Sequence, residues 1–352
     1  MSINDTILEK ITPHLPGLDY DTEKLKDHLR KFFSLPIKEY RQRQELAILI
    51  ASQILEKHSK QDLPLLAEKL ANLERNLKEL DPYQRDHVCH SLITFLLGYI
   101  FIIELNLEEK HQDFLFEWKL AALLHDVGYP LELTDRINSK FFSSFDSQLL
   151  DKKTEFEPKG GNSLIKYLEL YGVEEKRNAL EEINNRLNSW DIKINCKSIF
   201  DRMINGKKFD AKPQRTDHGI TSAILVMKAI DHKYEKNNPS QKVDAENSWN
   251  FDNMNNQITN VCSSIFIHNM FMPEINWDFN VCPIATLLKL CDELQGWDRP
   301  SFKNNEGESA DNYDFKIIDG RIQFFVKERK LKELKNNLKN VENFPIKLVV
   351  LN

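Results

Sequence analysis

Apolar residues recur at three- and four-residue spacing through most of this chain up to about residue 300, the period of helices that bury one face. Leu46-Ala-Ile-Leu-Ile-Ala-Ser-Gln-Ile-Leu55 and Leu63-Pro-Leu-Leu-Ala-Glu-Lys-Leu-Ala-Asn-Leu73 are amphipathic, and Pro64 suits the first turn of the second helix. Residues 1–80 therefore read as an N-terminal helical region. Leu92 to Ile103, interrupted by Thr94 and Gly98, and Trp118 to Leu124, with Lys119 its one charge, are strongly apolar, as helices inside a core are. The stretch from Glu132 to Arg215 is far more polar. It holds a flexible turn at Glu157-Pro-Lys-Gly-Gly-Asn162 and a helical pattern from Tyr167 to Leu187, and is expected to pack over a site as a partial lid. Lys236 to Gln257, rich in Asn, reads as an exposed loop. Past Trp297 the period changes. Two alternating runs flank Asp319-Gly320 within Phe315–Val326, which predicts a hairpin. A charged helix from Lys327 to Asn340 and a strand from Phe344 to Leu351 follow. The fold class expected is mainly α, a helical core over residues 81–300 with a small α/β appendage over 301–352.

Histidines and carboxylates punctuate this pattern at the ends of apolar helices. The segment Trp118-Lys-Leu-Ala-Ala-Leu-Leu-His-Asp-Val-Gly-Tyr-Pro130 ends its apolar run in His125-Asp126, and Gly128 and Pro130 break the helix. An unpaired carboxylate in such surroundings needs a cation or several hydrogen bonds. An imidazole beside a carboxylate suits a divalent metal. Neighbours on a helix point about 100° apart, so both grip one ion only at a helix end, or Asp126 bridges to a second. Upstream, Arg85-Asp-His-Val-Cys-His90 sets His87 and His90 three apart on one face. Downstream, His218 opens an apolar helix after Asp217, His268 sits in Ser264-Ile-Phe-Ile-His268, and Asp292 nears the end of Pro283-Ile-Ala-Thr-Leu-Leu-Lys-Leu-Cys-Asp292. A lone histidine in an apolar strip, such as His268, also fits a hydrogen-bonded core residue.

The order His, His-Asp, His, His, Asp resembles the HD superfamily of metal-dependent phosphohydrolases over residues 80–300. The matching residues are His90 in His-Ser-Leu, His125-Asp126 in Leu-Leu-His-Asp-Val-Gly, and Asp292 in Cys-Asp-Glu-Leu-Gln, while His218 and His268 look like the additional histidines of binuclear members. The resemblance implies a metal set of His90, His125, Asp126, His218, His268 and Asp292, with Asp126 shared between two ions. It implies hydrolysis of a phosphoester, a nucleotide or cyclic nucleotide, by a metal-activated water. Asp126, His87 and Arg299 are then the catalytic candidates, His87 facing phosphate and Arg299 forking onto it. Arg85, Lys119, Gln295 and Trp297 are further residues placed to meet substrate. The mixed His and carboxylate set fits Mn, Fe, Co, Ni or Zn, one or two per chain, better than Mg or Ca.

Composition narrows the rivals. With 41% apolar and 29% charged residues over 352 positions the chain is that of a soluble globular protein, large enough for one or two cores. A net charge of −6 gives no general attraction to nucleic acid, so a single-strand nuclease ranks below a small-nucleotide enzyme. A silent nucleotide-binding sensor is the reading from another class, and a complete ligand set argues against it. Five cysteines without Cys-x-x-Cys spacing, and an opening Met1-Ser-Ile-Asn-Asp unlike a signal peptide, predict a cytoplasmic protein. The apolar run from Leu92 to Ile103 falls short of the ~20 residues that span a bilayer, so no membrane partner is expected. Homo-oligomerisation through the N-terminal helices or the appendage stays open.

Overall fold

A computed structural model describes residues 2–56, 63, 65–77, 86–109, 113–134, 160–170, 177–204, 217–236, 254–270, 275–298 and 309–351. The architecture is mainly helical. Helices α1 (Ile3–Ile11), α2 (Thr22–Ser34), α3 (Tyr40–Glu56) and α4 (Leu65–Leu77) form the N-terminal layer. Each begins or turns where local chemistry dictates. Ser2 and Asp5 make a reciprocal capping box on α1, and the Asp21 side chain accepts from the Lys24 backbone on α2. Ile3, Ile7 and Ile11 stand four apart and are buried, giving α1 the stripe that seats it against the next helix.

That next helix, α5 (His87–Glu104), is the axis of the molecule. Asp86 caps it, and every residue from His87 to Ile102 is buried. Among the described residues it alone is long and apolar enough to cross a membrane, with a mean hydropathy of 1.6, and 89% of it is buried within the fold. A strongly apolar helix buried on every side is a core helix. α1, α3 and α4 cover one side of α5, and α6 (Phe114–Leu124) covers another. The α5–α6 approach rests on Gly98, where an added Cβ would lie 2.1 Å from Trp118 Cζ2. Trp118 is fully buried and donates from Nε1 to the Phe95 carbonyl at 3.1 Å. It cannot swing away. Gly98→Ala is therefore expected to destabilise the fold by about 3 kcal/mol, read as a shifted denaturant midpoint. A stability within error of the parent would show that the interface can relax.

Beyond α6, α7 (Ala179–Ser189), α8 (Cys196–Ile204), α9 (His218–Lys236), α10 (Thr259–Ile267) and α11 (Pro283–Leu294) complete the helical core. α10 packs on α6, α7, α9 and α11, and α11 also reaches α5. The C-terminal part is a small three-stranded sheet, β4 (Tyr313–Ile318), β5 (Arg321–Val326) and β7 (Ile346–Val350), in the order β4-β5-β7. β4 and β5 form the predicted hairpin, with Asp319 and Gly320 both at positive φ. β7 runs parallel to β5, and α12 (Glu328–Asn337) is the crossover that such pairing requires. A two-residue ladder, β3 (Trp277–Asp278) with β6 (Val341–Glu342), ties this sheet to the helices. Buried apolar residues from Ile3 to Phe344 join in one cluster.

Three expectations change. The helix expected from Tyr167 begins only at Ala179. Residues 160–167 are a 3-10 turn, and β1 (Glu169–Leu170) pairs antiparallel with β2 (Arg177–Asn178). Asn178 then accepts from the Leu180 backbone and starts α7, so backbone pairing and a cap outweigh the apolar period. The Asn-rich segment is helical at both described ends, since α9 runs to Lys236 and residues 254–258 form a π-helical turn leading into α10. Pro130 does not end helical structure. Residues 125–128 form the break, and residues 129–134 are helical again with Pro130 in the first turn. The supposed lid tip lies outside the described residues up to residue 159.

Candidate metal centre

All six sequence-predicted ligands meet at one buried point, delivered by five separate pieces of the chain. Asp86 caps α5 by accepting from Cys89 N at 2.9 Å, which puts His90 one turn in. His125 is the residue just past α6, and Asp126 stands in the turn after it. Asp217 accepts from Ile220 N at 3.2 Å and so starts α9 at His218. His268 is the residue just past α10, and Asp292 lies in the last turn of α11. Helix ends therefore place the ligands, as an adjacent His-Asp pair requires.

The four histidines share one orientation. His125 Nδ1 lies 2.8 Å from the Ala122 carbonyl, and His268 Nδ1 lies 2.6 Å from the Ile265 carbonyl. His218 Nδ1 is 2.6 Å from Glu132 Oε2, and His90 Nδ1 meets Gln295 Oε1. The Gln295 amide is fixed the right way round, because its Nε2 donates to the Trp297 carbonyl at 2.6 Å. An acceptor at every Nδ1 makes Nδ1 the donor, which turns every Nε2 inward.

Inside, the Nε2 atoms surround the two carboxylates. His90 Nε2 is 2.7 Å from Asp292 Oδ1, and His125 Nε2 is 4.0 Å from the same oxygen. Asp126 divides its oxygens. Oδ2 lies 3.3 Å from His125 and 3.9 Å from His90, while Oδ1 lies 3.3 Å from His218 and 4.0 Å from His268. Two overlapping groups, His90–His125–Asp292 and His125–Asp126–His268, bring their ligand atoms within 4.8 Å of one another and could hold a metal ion.

Electrostatics and satisfaction agree with that use. The Nε2 atoms of His125 and His268 are buried without a hydrogen-bond partner, a costly state that a coordinated cation removes. Burial, helped by the charge of His125, pushes His268 down to about 3, so it stands neutral with its lone pair available. Against burial, the bond to Glu132 and the charge of Asp126 pull His218 up to about 9. Its proton must leave when a metal binds. Burial also opposes charge on Asp126 and Asp292. Even so, His125 beside the first and His90 beside the second hold both carboxyls below the usual range. Both are ionised.

The remaining sequence candidates divide. His87 is buried on the same helix as His90, its ring stacked on Tyr129 with centroids 3.5 Å apart. Its Nδ1 lies 2.7 Å from Glu74 Oε1 of α4, which also accepts from the His87 backbone. Gln295 does not face substrate, since it holds His90. Trp297 is fully buried, donates to Asn4 Oδ1 at 2.9 Å and packs on Tyr313 and Phe324, so no base can stack on it. Lys119 is likewise fully buried. Arg85 and Arg299 lie outside the described residues. Glu132 and Glu74 were missed. Glu132, an acid between Leu131 and Leu133, carried a faint signal, whereas Glu74 looks in sequence like one more charge on an amphipathic helix.

Searches of protein-family models, of curated proteins and of solved structures find no match to this chain.

Proposed function

We propose that this protein is a metal-dependent phosphohydrolase of the HD type, acting on a nucleotide or cyclic nucleotide. One observation carries the reading: four inward Nε2 atoms, each locked from behind, surround a carboxylate whose two oxygens face different histidine pairs. In this reading His90, His125, Asp292 and Asp126 would hold one divalent transition metal, and His218, His268 and Asp126 would hold a second. Bound there, the ions supply Lewis acidity and bring a water towards deprotonation near neutral pH.

The chain's own residues do the rest. Glu132, Gln295 and the Ala122 and Ile265 carbonyls fix the ligand rings, so little reorganisation accompanies binding. His87, held at Nδ1 by Glu74 and stacked on Tyr129, would stand behind the centre facing phosphate. The apolar shell of α5, α6, α10 and α11 excludes bulk water, which strengthens the charge interactions within.

Protein purified without chelator should carry one to two equivalents of Mn, Fe, Co, Ni or Zn by elemental analysis, and should turn over at least one member of a nucleotide and cyclic-nucleotide panel. Metal content near zero, with no uptake of added Mn or Ni, would sink the reading. Cleavage of a single-stranded oligonucleotide with no turnover of any mononucleotide would instead make the protein a nuclease. Its binding would then fall steeply with salt as counterions are displaced.

A further inference from the structure

A second cleft, of about 270 Å³, opens away from the metal centre among α6, α7, α10 and α11, with Glu117, Arg186, Trp190, Asn260, Pro283 and Ile284 in its wall. Its position is regular. Glu117, Asn260 and Ile284 each precede a metal ligand, His125, His268 and Asp292, by eight residues along the same stretch of chain. Eight residues of helix are about 12 Å. The cleft therefore lies at the N-terminal ends of the three helices whose C-terminal ends build the metal centre.

Its chemistry is two-signed. Asn260 Nδ2 donates to Glu117 Oε1 at 3.1 Å, while the buried Asn260 Oδ1 has no hydrogen-bond partner. A carboxyl and a free amide oxygen side by side form an acceptor corner that calls for an N–H-rich cation. Arg186, which also donates to Asn256 Oδ1 at 3.3 Å, brings a guanidinium to the same cleft. Trp190, Pro283 and Ile284 supply apolar wall to the same cleft. Burial raises Glu117 to about 7, while the bond from Asn260 and the charge of Arg186 pull the other way.

We infer that this cleft binds a free amino acid with an apolar side chain. Its ammonium is taken by Glu117 and Asn260 Oδ1, its carboxylate by Arg186, and its side chain by the Trp190–Ile284 wall. A lone amine or a lone acid would meet one matching charge and one opposed charge. The volume suits a leucine- or phenylalanine-sized ligand better than a whole nucleotide. Occupancy would brace three helices that carry metal ligands, which places the site to act on the metal centre. The binding itself does not rest on the phosphohydrolase reading.

Calorimetric titration of the full chain tests it with L-leucine and L-phenylalanine, and with 3-methylbutylamine and 4-methylpentanoate, which each lack one charge of leucine. An amino acid should bind, and both analogues should bind about tenfold more weakly or worse. Arg186→Gln and Glu117→Gln should each cost a similar factor. Arg186 lies on the outer part of α7, so that variant decides the matter if Glu117→Gln fails to fold. No heat from either amino acid at millimolar concentration would overturn the inference. So would an amine that binds as tightly as the amino acid, or affinity unchanged by Arg186→Gln.

Discussion

Asp126→Ala is expected to reduce phosphoester hydrolysis to background and to empty both metal positions together, whereas His268→Ala empties only one. The difference follows from geometry. Among the described residues Asp126 is the one side chain whose two oxygens face both histidine pairs, at 3.3 Å from His125 on one side and 3.3 Å from His218 on the other. His268 faces Oδ1 alone, at 4.0 Å. Glu132→Gln, which weakens the acceptor behind His218 without removing a ligand, should cost about 10–100-fold in affinity at that position. Elemental analysis and turnover on the same preparations separate the three variants. Circular dichroism should show the helices intact, because the apolar faces that hold them do not involve Asp126. Full activity in His268→Ala with none in His87→Ala would mean that two positions had been assigned the wrong way round.

The residues that gather at the candidate centre were legible in sequence because they are rare types in places where they are otherwise costly. His125-Asp126 at the end of an apolar run, His218 at the start of one and Asp292 inside another each break a hydrophobic pattern for no local reason. What supports them was not legible. Gln295, Glu132 and Glu74 are ordinary polar residues whose partners lie across the fold: His90 and Gln295 are separated by 205 positions. Only the packing of α4 and α11 on α5, and of residues 129–134 on α9, brings such pairs together. The fold shows the same division. Asp319-Gly320 announces a hairpin because two consecutive positive φ angles are a local demand. The parallel pairing of β7 with β5 is set by how α12 packs, and the strand at Ile346 carries no mark of its neighbour. Trp297 misled for a related reason: beside a ligand helix an indole looks like a stacking platform until Asn4, nearly three hundred residues earlier, is found on its N–H.

Gly128→Ala should separate the two metal positions from each other, keeping the first and losing the second. Gly128 follows the His-Asp turn, and its N–H donates to Ser222 Oγ of α9 at 2.8 Å. A Cβ there would lie 2.4 Å from Ser222 N, 2.7 Å from Thr221 Cβ and 2.8 Å from the Thr221 carbonyl carbon. Two of these three are backbone atoms inside a helix, which no rotamer change can move. The turn and α9 must part instead. His218 lies within about one turn of Thr221, so the same displacement opens its 3.3 Å approach to Asp126 and its 2.6 Å bond to Glu132. His90 and Asp292 stand on α5 and α11, away from that contact, and His125 stays tied to the Ala122 carbonyl at the end of α6, so the first position keeps its geometry. The added methyl should also cost about 1–3 kcal/mol of stability, as overpacking of a tight interface does. Gly320→Ala is the matching control. That residue has φ +68° and nothing within 4 Å of the added carbon, so strain at the hairpin should leave metal content untouched. Metal stoichiometry and thermal unfolding measured on both variants decide the point. If Gly128→Ala kept both ions and full turnover, α9 would be free to shift without disturbing the centre, and the close approach at Gly128 would carry no function.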